Sequence, residues 1–231
     1  MLKLFIPITL IGFVEKDDFV KAVKIISKRY SSHEREADPF EILIHGILST
    51  RTKDIITFPA QKRLLAAANT PEKIINLPVD QIQKLIYPVG FFHVKAKLLK
   101  SACNALVNNF DSKVPSTKKE LMTIPGVGNK VASLVLEWGF NLPYIAVDTH
   151  VNRISQRLGI VPKGTKPEKT EGILESILSS KLRMAANYSF VQFGREICRP
   201  VAPLCGVCPV YKYCSFELKS EYKNKQLPKL Q

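Results

Sequence analysis

Acidic residues are scarce in this 231-residue chain: Asp and Glu number 20 against 34 Lys and Arg, a formal net charge of +14. That imbalance points to a polyanionic partner. It does not by itself separate DNA from RNA, and basic proteins without such partners exist. Cysteine is also scarce outside one stretch. Of five, four lie between positions 198 and 214. A disulfide framework spread over a secreted domain is therefore excluded, and the compartment reads as reducing. Long apolar runs are missing too. Residues 1–13, MLKLFIPITLIGF, are too short to span a bilayer and carry Pro7. No small-residue cleavage site follows, and Asp17 and Asp18 come directly after. The run reads as an N-terminal extension packed on the body, with no membrane segment elsewhere. No stretch alternates convincingly as a strand, and there is no internal repeat or low-complexity tract.

What remains is helical periodicity. About ten helices with short connections are predicted, an all-α chain. Asp17 or Asp18 caps a helix reaching Tyr30, and residues 31–37 form a polar linker. Asp38-Pro39 is an N-cap with proline at the first helical position, opening a helix over 40–48. Residues 52–68 read as a helix interrupted at Pro59. Thr70-Pro71 and Asp80 open two short helices. Gly90 leads into a long one over 91–109, and further helices fall at 166–180 and 182–197. Residues 216–231 read as a frayed tail.

The stretch from 117 to 158 is the most informative. Thr117 and Glu120 have capping-box spacing. Pro125 stops that helix, and Gly126 and Gly128 permit a tight hairpin around Val127. A second helix follows, with Val131, Leu134, Val135 and Trp138 on its apolar face and Gly139 as its stop. Backbone amides at such a hairpin suit a phosphate oxygen. Lys130 sits in the first turn, off the apolar face. Eighteen residues on, Asp148 is placed to cap a helix carrying Val151, Ile154 and Leu158.

Hairpin, lysine and aspartate at these distances resemble the helix-hairpin-helix DNA glycosylases, most closely the endonuclease III family. The resemblance runs from about Asp38 to Cys214. It implies a six-helix barrel domain over 33–142. A second domain over 143–231 would carry an iron–sulfur loop and pack with residues 1–32. A cleft would lie between the domains, with Lys130 on one side and Asp148 on the other. It further implies a base excision repair enzyme, both glycosylase and abasic-site lyase, acting on oxidised pyrimidines in duplex DNA. Lys130 is then the nucleophile and Asp148 its electrostatic partner. A monomer is expected, in the cytoplasm with the nucleoid or in a nucleus.

Each residue also has a plainer reading. Lys130 could merely bind phosphate; a nucleophile must be the neutral amine, and free lysine titrates at about 10.4. Asp148 could be only a cap. The run Cys198-x6-Cys205-x2-Cys208-x5-Cys214 can close around one metal centre. Zinc sites usually show two close pairs and this run has one, so spacing leans modestly to iron–sulfur; resemblance to the endonuclease III [4Fe–4S] loop is the stronger warrant. Between the first two cysteines only Arg199 is basic, fewer charges than the family often places there. In Gly90-Phe91-Phe92-His93-Val94-Lys95-Ala96, Phe91 falls where the family inserts an apolar wedge; the alternative is two core phenylalanines. Arg51 stands where the family commonly has a glutamine that fills the gap beside the partner base, and a phosphate contact is the alternative. His150 reads as structural or a backbone contact. Two other functions stay open, a mismatch or adenine glycosylase of the superfamily and a non-catalytic DNA-binding module. The former generally lack the lysine.

Overall fold

The computed structural model describes residues 14–31 and 37–223. The N-terminal extension and most of the polar linker lie outside the described residues. Among the described residues there are helices and no strands, as the periodicity predicts. No described helix is long and apolar enough to cross a membrane. The chain forms two compact units. One is Glu34–Ala146; the other joins Met1–His33 to Val147–Gln231.

The first helix, α1 (Lys16–Arg29), belongs to the second of these units. It begins one residue before Asp17, so neither aspartate caps it. Both sit in the first turn instead, where negative charge favours the helix dipole. The Glu34–Ala146 unit holds α2 (Pro39–Ser49), α3 (Asp54–Ala67), α4 (Pro71–Asn76), α5 (Val79–Ile86), α6 (Phe92–Phe110), α7 (Lys118–Leu121) and α8 (Asn129–Leu134). Asp38 caps α2, its carboxylate accepting from the Phe40 and Glu41 amides at 2.7 and 3.2 Å. Thr70 caps α4 through the Lys73 amide. Pro59 does not interrupt α3. It lies on the exposed face, and the carbonyl it leaves free belongs to Ile55, which is 81% exposed and open to solvent.

Aliphatic side chains from these helices form one continuous core that includes Leu43, Ile47, Leu64, Ile86, Leu99 and Val135. Each such fully buried side chain contributes roughly 1.5–3 kcal/mol. Two glycines set how closely backbones approach. A Cβ on Gly46 of α2 would stand 2.6 Å from Val131 Cγ1 of α8, and one on Gly139 would stand 2.8 Å from Pro39 Cα. The helix after the hairpin differs from the expectation in its second half. From Val135 to Gly139 it widens to a π-helical turn. Glu137 is buried there, its Oε2 accepting from the Ala146 amide at 3.2 Å. Gly139 does end the helix, and its approach to Pro39 excludes any side chain.

In the second unit α1 packs on α11 (Ser180–Glu196), and α9 (Thr149–Leu158) packs on α11 and on α10 (Pro167–Ile177). Phe19, Val23 and Ile26 of α1 are fully buried, as are Val151 and Ile154 of α9. Beyond Ile197 the described residues form only short 3₁₀ turns. The expected fraying from residue 216 does not occur up to Lys223. Phe216 lies under the Arg157 guanidinium, 4.4 Å from ring centroid to Cζ, and stacks with Tyr222. The Lys219 ammonium donates to the Tyr211 and Cys214 carbonyls. These contacts could not be read from a lysine-rich composition.

Candidate active site and cysteine centre

Thr117 caps α7, its hydroxyl accepting from the Glu120 amide at 3.3 Å and donating to the Glu120 carboxylate at 2.6 Å. The helix ends at Leu121, before Pro125 is reached. The hairpin glycines have different reasons to be there. Gly126 has φ +86°, and a Cβ on it would stand 2.6 Å from Leu98; both backbone and space demand glycine. Gly128 is extended, and a Cβ there would meet nothing within 4 Å. The fold does not require glycine at 128, so its effect is to leave the adjacent backbone bare toward solvent. Val127 departs from the expected role. Its amide donates to the Ile124 carbonyl at 3.0 Å and its side chain is buried. It anchors the turn in the core and offers no amide to a ligand.

Lys130 is half-buried in the first turn of α8, its Nζ 3.4 Å from Ser49 Oγ at the end of α2. His45 lies one turn earlier on α2. Its Nδ1 pairs with Gln61 Oε1 at 2.9 Å, while Gln61 Nε2 donates to the Glu41 carbonyl at 2.8 Å. Gln61 therefore presents its oxygen, and His45 Nδ1 is the donor. Burial lowers the His45 pKa and the Lys130 charge lowers it further. The imidazole is neutral near pH 7 and adds no opposing charge beside the amine.

Arg51 and Phe91 come together in the same unit. Both have left-handed backbones, φ 53° and 58°. The Arg51 guanidinium lies 5.9 Å from the Phe91 ring centroid. Phe91 is 61% exposed, which removes the reading of two core phenylalanines. Phe92 is the partly buried one, packed edge-on against Tyr87 at 5.4 Å.

In the second unit Asp148 caps α9, its Oδ1 accepting from the His150 and Val151 amides at 2.8 Å each. Those two bonds hold the carboxylate rigid. His150 Nδ1 is 3.2 Å from the Arg153 guanidinium. Arginine only donates, so Nδ1 is the acceptor and His150 is structural at that nitrogen.

Cys198, Cys205, Cys208 and Cys214 line one small apolar pocket, walled by Ile154, Leu158, Phe193 and Phe216. Among the described residues no three His, Cys, Asp or Glu side chains converge as a single-ion cage. Burial pushes the Cys208 thiol up to about 12 and raises Cys205 and Cys214. Cys214 Sγ donates to the Arg157 carbonyl at 3.2 Å; as thiolates, the four sulfurs would be satisfied by a bound metal centre. Arg157 supplies complementary charge. Its Nη1 donates to Cys198 Sγ at 3.4 Å and to the Arg199 carbonyl at 2.6 Å, and its Nη2 to the Pro200 carbonyl at 2.9 Å. Arg153 donates to the Cys198 carbonyl at 3.0 Å. The donor set and its cationic neighbour thus fit an anionic cluster. Sequence reading gave no role to Arg153 and Arg157. Their i, i+4 spacing on α9 was visible, but nothing marked the cysteine loop as their target.

With hairpin, amine and capped aspartate in place, the comparisons define the class. Residues 44–180 match the family model described as HhH-GPD superfamily base excision DNA repair protein. Endonuclease III of Thermotoga maritima is 40% identical over 203 residues, 87% of this chain and 95% of that protein. Endonuclease III-like protein 1 of Mus musculus is 41% identical over 172 residues, 73% of this chain and 57% of that one. A solved structure of a trapped endonuclease III–DNA covalent intermediate superposes with TM-score 0.83 at 30% identity, covering 88% of this chain and 97% of that one. The chain belongs to the endonuclease III family.

Proposed function

We propose that the chain is a bifunctional DNA glycosylase that removes oxidised pyrimidines from duplex DNA and then cleaves the strand 3′ to the abasic site. Family membership carries the reaction class, base excision repair by a glycosylase with lyase activity. The observation that carries the residue assignment is Lys130, an amine at the head of the helix that follows the hairpin. Its nitrogen attacks C1′ of the damaged nucleotide. The C1′–N bond to the base breaks, and the departing base takes up a proton. The amine then loses a proton, and the C1′–O4′ bond breaks with O4′ taking up a proton as the sugar opens to the Schiff base. Loss of the C2′ proton with departure of the 3′ phosphate, a β-elimination, cuts the strand. Asp148, held by two amides, stabilises the positive charge that develops on the sugar. The Gly126 and Gly128 backbone receives a phosphate. Phe91 occupies the stack that the extruded nucleotide leaves, and Arg51 faces the partner base.

Cys198, Cys205, Cys208 and Cys214 would hold a [4Fe–4S] cluster, supported by the shared cavity and the Arg157 charge beside it. When bound, the cluster supplies a rigid brace for the C-terminal loop. The same reading makes the protein a monomer working in the compartment that holds the DNA.

Borohydride trapping tests the assignment. Wild type should form a covalent adduct with lesion duplex, and Lys130→Ala should lose both trapping and base release while still binding the lesion. Asp148→Asn keeps a capping oxygen, so it should fold yet release base at least about a hundredfold more slowly. A trapped adduct with Lys130→Ala means another amine attacks. Base release by wild type without trapping means a monofunctional enzyme in which water attacks.

A further inference from the structure

Lys95 has no part in the chemistry above, yet it is 5% exposed. Its ammonium donates to the Leu48 carbonyl at 2.7 Å, the Thr50 carbonyl at 2.6 Å and Thr52 Oγ1 at 3.0 Å. Leu48 is in the last turn of α2, where carbonyls lack intrahelical partners and the dipole favours a cation. The first turn of α6 therefore supplies the C-terminal cap of α2. Burial lowers the Lys95 pKa to about 8, so the ammonium persists near neutrality with all three protons engaged.

The connection continues through Thr52. Its hydroxyl oxygen also accepts from the Gly90 amide at 3.2 Å. A Cβ at Gly90 would stand 3.2 Å from both the Arg51 carbonyl and Thr52 Oγ1, so the two turns meet closely there and a side chain would press on both. One ammonium and one hydroxyl thereby stitch the turn carrying Arg51 to the turn carrying Phe91. Both are non-glycine residues in the left-handed region, a conformation that persists only where the surroundings over-determine it. The Lys95 network over-determines it.

We propose that Lys95 is a positioning residue that locks the Arg51 and Phe91 turns into a single two-pronged element for entering duplex DNA. This rests on the assignment of those two residues to the duplex. A paired lesion needs the prongs, whereas a single-stranded abasic site needs only the Lys130 amine. The two substrates therefore separate positioning from general damage.

Base release from a lesion duplex and cleavage of a single-stranded abasic oligonucleotide are measured side by side. Lys95→Met should lower the first by about thirtyfold and leave the second within about twofold. In an Arg51→Ala/Phe91→Ala background the same substitution should add less than about twofold, because the prongs it positions are gone. Equal losses on both substrates, or full additivity in that background, would make Lys95 merely structural and overturn the proposal. If the Arg51→Ala/Phe91→Ala variant itself processes the lesion duplex normally, the wedge assignment fails and the proposal with it. Should Lys95→Met not fold, judged by its circular dichroism melt, Thr52→Val carries the test. It removes the shared hydroxyl and leaves the lysine both carbonyls. A selective loss of about fourfold on the duplex supports the proposal, and an unchanged duplex rate overturns it.

Discussion

In the unit holding the hairpin, side chains assigned to DNA stand on one continuous, mainly aliphatic core. In the unit holding the cysteines, the described residues after Glu196 form no regular α-helix. They are tied down by Arg153, Arg157 and Lys219 donating to backbone carbonyls, and by four sulfurs around a pocket. The hairpin unit obtains rigidity mainly from packing and close backbone approach, with the buried Lys95 ammonium added at one junction. The cysteine stretch obtains it from charged donors and from the group its thiols would bind. A short loop has too little apolar surface to order itself, so a substitution of similar size should act very differently in the two places.

The largest effect is expected at Cys208. Cys208→Ser should abolish the brown iron–sulfur absorbance and expose residues 198–223 to proteolysis, while the hairpin unit keeps its helical signal. Metal analysis of wild type returning one zinc and no iron would remove the cluster from the comparison. Next come the hairpin glycines, which differ in kind. Gly126→Ala forces a side chain into the left-handed region and against Leu98, and should destabilise by about 1–3 kcal/mol in a denaturant melt. Gly128→Ala meets open space and should change stability by less than about 0.5 kcal/mol. It should still weaken duplex binding by about tenfold, because the methyl would shield the backbone amides proposed to receive a phosphate. Equal stability losses at the two positions would erase the distinction.

The smallest effect concerns the surface of the cysteine unit. Glu196 on α11 accepts from Arg29 and Tyr30 at the end of α1. The Tyr30 hydroxyl bond, then Arg29, hold its pKa below the ordinary value of 4.5. A depressed carboxylate contributes fully above its unfolded pKa and loses that contribution as pH falls through the folded one. Glu196→Gln should therefore lower stability by about 0.5 kcal/mol at pH 7, a difference that shrinks as pH falls below the ordinary value of 4.5. A difference that does not shrink would mean that packing, not charge, joins the two helices.

Much of this was legible in the chain because the signals are local. Asp38-Pro39, Thr70-Pro71, Thr117 with Glu120, and Asp148 each cap the helix their spacing announces, since a cap needs only the next three residues. Gly126 is readable for the same reason, as a turn demands its backbone directly. The sequence also pointed to the family, through the resemblance carried by the hairpin, the lysine after it, the aspartate and the run of cysteines. What it could not supply depends on residues far apart in the chain. Val127 is spent on the core, Gly139 exists because Pro39 is there, and Phe91 is exposed while Phe92 is partly buried. Lys95 looks like any surface lysine until α2, 45 to 47 positions away, places two carbonyls around its ammonium. Arg157 likewise acquires its role only when the loop from Cys198 folds back onto α9. A buried charge is defined by the acceptors around it, and only the tertiary structure decides which acceptors those are.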